Sequence, residues 1–187
     1  MVGGVADFAR TLGAARNGEE WALAALWRSH QRPLLSWLAT MVGGAADDVA
    51  SETWIDVARG LGRFSGDEGA FRSWLFTIAR RRAVDHLRRQ GRRLETAVSD
   101  RHLAARPAPT DVAEQAQSSL ALRQALGVVD RLSPDQREVI LLCVLGGLRP
   151  AQVAPVLGKT EGAVRVLQHR ALRRLAQLLP RPVAEEV

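Results

Sequence analysis

Residues 148–175 read LRPAQVAPVLGKTEGAVRVLQHRALRRL, and this stretch decides the fold. Its pattern predicts a short helix, a tight turn at Gly158 and a longer helix opening near Thr160. Ala154 is small enough to let the two helices approach closely. Gly158 can take a positive φ at the turn without a Cβ clash. Val164 is the branched residue expected to lock the second helix onto the first. Thr160 is the expected N-cap, because its hydroxyl can accept a backbone N–H of the first turn. Together these residues describe a helix-turn-helix.

The second helix divides by face. At about 100° per residue, Val164, Leu167, Ala171, Leu175 and Leu178 fall on one stripe. Arg165, His169 and Arg173 fall roughly opposite, with Gly162 above them. No acid occurs between Glu161 and Glu185. An apolar back with an Arg/His front suits the major groove of DNA. An amphipathic surface helix with arginine on its wet side has the same pattern, so the helix alone leaves both readings open.

The 187 residues allow one or two small domains, and a hydrophobic fraction of 47% is ample for a core. Aromatic residues make up 5%, with no Tyr, so the core is expected to be aliphatic and alanine-rich, which favours helix. The net charge is +6, modest for this length, so where the charges cluster matters more than their sum. Lys159 is the only basic residue that is not arginine. The single cysteine, Cys143, lies in the apolar run VILLCVL and reads as core packing. One cysteine allows neither a disulfide nor a cysteine metal site within the chain. The N-terminus carries Asp7 and Arg10 and no apolar signal region, and no apolar run is long enough to span a bilayer. A cytoplasmic location without membrane insertion is expected.

Outward from the helix-turn-helix, the periodicity predicts helices over 5–16, 19–30, 34–42, 45–60 and 71–90. Pro33 is expected to start or bend one of them, and Gly91 to stop the last. Residues 61–69 (LGRFSGDEG) read as a polar, glycine-rich loop. From Arg92 to about Glu114 the pattern dissolves, with two prolines in ARPAPT, and a flexible linker is expected over 94–117. Residues 118–130 read as helical again. Ser133-Pro134 then opens a helix to 145, with Ser as N-cap and Pro at N1. The expected organisation is all-α: a domain over 1–93, the linker 94–117, a second domain over 118–180, and a tail 181–187.

Two of these helices have informative faces. Over 45–60, Asp48, Glu52 and Asp56 are spaced four apart and form a drifting acidic stripe, opposite Ala50, Thr53, Trp54 and Val57. A solvated helix face explains such a stripe, and so does a basic partner. Over 71–93, Phe71, Trp74, Leu75, Phe76 and Ile78 come first, followed by Arg80, Arg81, Arg82, Arg88, Arg89, Arg92 and Arg93 against one acid, Asp85. Leu75, Ala79, Ala83 and Leu87 form the expected buried stripe, and Trp74, Arg81 and Arg88 share another face. That arginine density exceeds what solubility needs and points to nucleic acid, whose phosphates it can neutralise. The aromatic rings read first as core, with stacking on unpaired bases as the alternative.

The motifs ADDVASETWIDVARG (46–60), FRSWLFTIARRRAVDHLRRQGRR (71–93) and LSPDQREVILLCVLGGLRPAQVAPVLGKTEGAVRVLQHRALRRL (132–175), in this order and spacing, resemble the bacterial RNA polymerase sigma factors of the extracytoplasmic-function (ECF) group. The resemblance covers about residues 19–93 and 119–179. It implies a region-2 domain, a region-4 domain, and no cofactor, metal or small-molecule substrate. Asp47, Asp48, Glu52 and Asp56 match the helix that docks on the β′ clamp helices of core RNA polymerase, with a further contact to the β subunit implied for the second domain. Arg63, Phe64 and Trp74 belong to the part that captures a flipped-out base of the minus-ten element. Arg81, Arg82, Asp85, Arg88 and Arg89 match the part that contacts promoter DNA there. Lys159, Thr160, Glu161, Gly162, Arg165, His169 and Arg173 match the minus-thirty-five reader. An anti-sigma partner is also implied.

The chain departs from the family pattern at Arg81, where Asn is usual, at Arg149, where Ser or Thr usually caps, and at Pro155 inside a helix. The recognition helix has Val166-Leu167-Gln168-His169 where the family more often carries a Ser-Arg-Leu-His-like run, so promoter preference does not transfer. An ordinary helix-turn-helix regulator acting without polymerase would need a dimer interface or sensor domain, and the sequence offers neither. An enzyme is disfavoured: His30, His86, His102 and His169 are scattered, no pair has metal-ligand spacing, and there is no glycine-rich phosphate loop.

Overall fold

The computed structural model describes the backbone of residues 3–98 and 127–178, and the side chains of 7–92 and 127–178. The described residues are helical with no strand. Helix α1 (Gly3–Arg16) closes at Asn17-Gly18 and buries Leu12 and Ala15. Helix α2 (Glu20–Val42) is continuous, where the sequence predicts two helices meeting at Pro33. Proline removes one backbone hydrogen bond, but Ala22, Leu26, His30, Leu34, Trp37 and Leu38 are buried on both sides of it. The tertiary packing of that stripe outweighs the lost bond.

Helix α3 (Ala46–Gly60) buries Val49, Ala50, Thr53 and Val57, the helical spacing its sequence carries. Thr53 Oγ1 donates to the carbonyl of Val49 at 2.7 Å, so its hydroxyl is satisfied inside the core. Trp54 Nε1 donates to Gln31 Oε1 at 2.6 Å and pins α3 to α2. A 3₁₀ turn (Leu61–Arg63) follows. Helix α4 (Glu68–Val98) begins three residues before the expected start, because Asp67 caps it: Asp67 Oδ1 accepts the N–H of Ala70 at 2.7 Å. It also runs through Gly91, which the sequence reads as its stop. A glycine weakens a helix interior by only about 1 kcal/mol and does not by itself end it. Leu75, Ala79 and Ala83 are buried as expected, but Leu87 is 39% exposed, since the core ends one turn earlier.

Helix α5 (Pro134–Val144) starts as the sequence predicts. Ser133 Oγ accepts the N–H of Gln136 and Gln136 Oε1 accepts the N–H of Ser133, a capping box with Pro134 at N1. Helices α6 (Pro150–Leu157) and α7 (Glu161–Leu178) form the helix-turn-helix. Gly158 sits at φ +63, the left-handed turn expected of it. Where Arg149 replaces a capping Ser or Thr, Gln152 Oε1 accepts the Arg149 N–H instead, at 2.7 Å. Pro155 lies in the last turn of α6, exposed, and the helix passes through it. Of the expected 118–130 helix only 127–130 is described, with 127–129 helical; of the linker, 94–98 is described, as the end of α4. The expected tail 181–187 lies outside the described residues.

The two helical groups pack on each other. Phe71, Leu75, Phe76 and Ala79 of α4 share one core with Leu142, Leu148, Val153 and Val156. Helix α6 lies along the first half of α4, where Ser73 Oγ donates to the carbonyl of Gln152 at 2.9 Å. Arg72 Nη1 donates to the carbonyl of Gly147 at 3.0 Å. Gly146 is a steric requirement of this seam: a Cβ there would lie 2.6 Å from the Leu142 carbonyl and 2.9 Å from the Phe76 ring. A second, smaller core of Leu132, Ile140 and Ala171 holds α7 on α5.

Candidate nucleic-acid interface

Helix α7 is held from behind by Val164 and Ala171, both fully buried, with Leu167, Leu175 and Leu178 half-buried on the same stripe. Thr160 Oγ1 accepts the N–H of Ala163 at 3.2 Å, so the cap read from the sequence is formed. The opposite face carries Gly162, Arg165, His169 and Arg173, all exposed. Arg165 reaches back to Glu161 with Nε at 3.0 Å, and Lys159 Nζ lies 2.9 Å from Asp135 Oδ2. Both are surface pairs of the kind that contribute less than about 1 kcal/mol, so either side chain can exchange its carboxylate for a phosphate.

The sequence reading missed Arg131, Arg170 and Arg174. With Arg173, Gln136 and Gln177 they line a groove of about 470 Å³ beside α7, with no carboxylate among the lining residues. Arg170, Arg174 and Gln177 repeat at helical spacing, a signal present in the sequence; Arg131 joins them only through the packing of α5 on α7.

On α4 the aromatic group divides. Phe71 and Phe76 are core. Phe64 stacks on Trp74 with centroids 4.9 Å apart and planes 22° apart, both half-buried at the junction of the 63–69 loop and α4. The arginines divide as well. Arg81 and Arg88 are about 70% exposed, and Arg63 and Arg89 are exposed. Arg80 turns toward α5, with Nε 2.6 Å and Nη2 3.2 Å from the two Glu138 carboxylate oxygens, which raises its pKa further. Arg82 turns toward α3 and is held by Asp56, with Nε 2.7 Å from Oδ2. Asp85 is half-buried beside Arg88, at 3.9 Å.

The acidic stripe on α3 is likewise not uniform. Asp47 and Asp48 are exposed. Glu52 is half-buried, its Oε2 3.6 Å from both Arg82 and Arg89. Asp56 is 14% exposed, with Arg82, Arg81 and Arg59 around it. Asp47 and Asp48 thus face solvent at the start of α3, and Asp56 does not share that surface. Cys143 is half-buried rather than fully buried, and burial pushes its thiol pKa up, away from the reactive thiolate.

Comparison with known proteins places two modules on these elements. Residues 26–93 match Sigma-70 region 2 and residues 122–175 match Sigma-70 region 4. The chain therefore belongs to the sigma-70 superfamily of RNA polymerase sigma factors. Its relatives place it within the ECF group. The ECF RNA polymerase sigma factor SigM of Mycobacterium tuberculosis is 32% identical over 173 residues, covering 91% of this chain and 84% of SigM. BldN of Streptomyces coelicolor, also an ECF sigma factor, is 36% identical over 168 residues, 89% of this chain; the chain spans 63% of BldN's length. The RNA polymerase sigma factor CarQ of Myxococcus xanthus is 32% identical, covering 88% of this chain and 92% of CarQ. Among solved structures, CnrH in complex with the cytosolic domain of CnrY aligns with a TM-score of 0.65 at 22% identity, covering 91% of this chain and 96% of that one. RpoE of Bartonella quintana, solved with the anti-sigma factor NepR, aligns at 0.63 and 22%, covering 83% and 94%. These two share the fold. No described helix is long and apolar enough to cross a membrane.

Proposed function

We propose that this chain is a dissociable promoter-specificity subunit that docks on core RNA polymerase through α3 and the region-4 module and reads promoter DNA at two places. The region-2 module (1–93) holds the β′ clamp helices with Asp47, Asp48 and the open flank of Glu52. It takes up the minus-ten element with the Phe64/Trp74 stack, Arg63, Arg81, Arg88 and Arg89. The region-4 module (118–180) touches the β subunit and reads the minus-thirty-five element as duplex, through Gly162, Arg165, His169 and Arg173, with Lys159 and Thr160 at the helix start. Holding both readers on one polymerase makes the second contact intramolecular, so two weak sites act as one strong one. Favouring unpaired bases over paired ones shifts the promoter toward the melted state. The chain itself breaks and forms no bonds in this scheme; polymerisation belongs to the polymerase. It acts in the cytoplasm, where an anti-sigma protein holds it inactive by covering its polymerase-binding surface.

The observation that carries this reading is the separation of charge. Exposed acids stand at the start of α3, and exposed Arg170, Arg173 and Arg174 of α7 line a groove with no carboxylate among its described lining residues. The test is run-off transcription with purified core polymerase on genomic fragments, comparing wild type with Asp47→Lys/Asp48→Lys. Transcripts with wild type and few with the reversed variant are expected. Equal activity would reject the docking face. Tight binding of duplex DNA by the chain alone, with no affinity for polymerase, would reject the subunit role.

A further inference from the structure

Asp56 and Arg82 sit in the two motifs that family resemblance assigns to outside partners, the acidic stripe and the arginine run. Their geometry tells against both assignments. Arg82 Nε and Nη2 both donate to Asp56 Oδ2, at 2.7 and 2.5 Å, and its remaining nitrogen, Nη1, lies 3.6 Å from Glu52 Oε2. All three guanidinium nitrogens face carboxylates of the same protein. Arg81 and Arg59 close around Asp56 at 3.4 and 3.9 Å. The side chains of Asp56 and Arg82 are 14% and 26% exposed, the most enclosed of the charged pairs joining α3 to α4. The hydrogen bond to Asp56 raises the pKa of Arg82, a guanidinium that is charged in any case.

We propose that Asp56 and Arg82 are positioning residues, a brace that sets α3 against α4, and that neither touches polymerase or promoter DNA. The proposal rests on the sigma-factor reading above and revises which residues carry it. Helix α3 presents Asp47 and Asp48 to one partner, and α4 presents Arg81 and Arg88 to the other. The brace lies between these surfaces, and Glu52 extends it: its Oε2 also lies 3.6 Å from Arg89. Through this chain the angle between the docking helix and the minus-ten helix is set by a charged hydrogen bond rather than by apolar packing alone. Lysine at 82 would keep the charge but could not reach Asp56 and Glu52 together, because it has one nitrogen where arginine has a fixed fork.

The experiment uses the full chain with core polymerase and the promoter fragment mapped by run-off transcription. Wild type is compared with Asp56→Asn, Arg82→Lys and the double variant, all well below their unfolding midpoints. Affinity for core polymerase should stay within about twofold, which is under 0.5 kcal/mol. Permanganate reactivity of melted bases, read at saturating polymerase, should fall several-fold in each single variant and no further in the double. The salt dependence of promoter binding should keep its slope.

A roughly tenfold loss of polymerase affinity in Asp56→Asn, about 1.4 kcal/mol, would make Asp56 a docking residue and overturn the brace. Wild-type melting in Arg82→Lys, with a salt slope lowered by about one in Arg82→Gln, would make Arg82 a phosphate contact. Losses that multiply in the double variant would show two independent contacts. A lowered unfolding midpoint with wild-type melting would reduce the pair to structural support. Should Asp56→Asn not fold, Asp56→Glu keeps the charge while displacing it, and the same readouts apply. If wild type itself forms no holoenzyme, the sigma reading fails, and a double-mutant cycle on stability still shows whether the pair is coupled.

Discussion

Helices α4 and α7 are both arginine-rich, yet their arginines do different things. On α4, Arg72, Arg80, Arg81, Arg82, Arg88 and Arg89 all have a carboxylate within 4 Å, and for Arg80, Arg81, Arg82 and Arg89 it belongs to another helix. On α7, Arg165 has Glu161, while Arg170, Arg173 and Arg174 line a groove with no acid in it. Arginine density is therefore a poor guide to where nucleic acid binds. The neighbouring acids divide the arginines: Arg82 on α4 is taken up inside the protein, Arg81, Arg88 and Arg89 keep exposed side chains, and the α7 groove has no described carboxylate in its lining.

The largest effect should come from the internally committed side. Arg82→Ala leaves the enclosed Asp56 carboxylate without its main donor and should cost about 2 kcal/mol of stability, read by urea unfolding. A change under about 0.5 kcal/mol, the size usual for a surface site, would erase the distinction between the helices. On α7 the loss should appear in binding instead. Arg173→Ala should weaken a duplex carrying the minus-thirty-five element roughly tenfold and lower the salt slope by about one, with stability unchanged. Anisotropy titrations at several salt concentrations measure both quantities.

Glu138→Ala lies between these cases. It removes the carboxylate that holds Arg80 across the seam, in a pair only partly shielded from water, and should cost about 1 kcal/mol by urea unfolding. Glu161→Ala should be the smallest. It releases Arg165 from an exposed partner, changes stability by less than about 0.5 kcal/mol, and tightens duplex binding. Weaker binding would show that Glu161 is itself part of the reader.

Helix α5 and the helix-turn-helix were the most legible part of the sequence because their signals are local. Ser133, Pro134, Gly158 and Thr160 each act within a turn of their own position, and each does what the sequence predicts. Pro33 misled because its cost is local while the packing that overrides it is not, and Gly91 because a glycine's cost of about 1 kcal/mol does not by itself end a helix. The seam between modules had no signal at all: nothing near Ser73 indicates that its hydroxyl will meet the carbonyl of Gln152. The division of the arginines was hidden for the same reason. Helical spacing places Arg81, Arg82 and Arg89 on α4, but which of them meets Asp56 depends on the angle between α3 and α4. The Arg131 groove likewise needs α5 packed on α7 before it exists.

The Thr160 cap has one more consequence. A helix is a phased object, and each residue turns the side chains by about 100°. By fixing the residue at which α7 begins, Thr160 indexes every side chain that follows, including those eight and thirteen positions on, at Gln168 and Arg173. Removing the cap should leave the far half of α7 in place, since Ala171 is anchored in its own core, while the first turn frays. The reader would then lose focus at its leading edge, around Gly162 and Arg165, and keep it at Arg173. Amide exchange along α7 in Thr160→Ala should show that gradient.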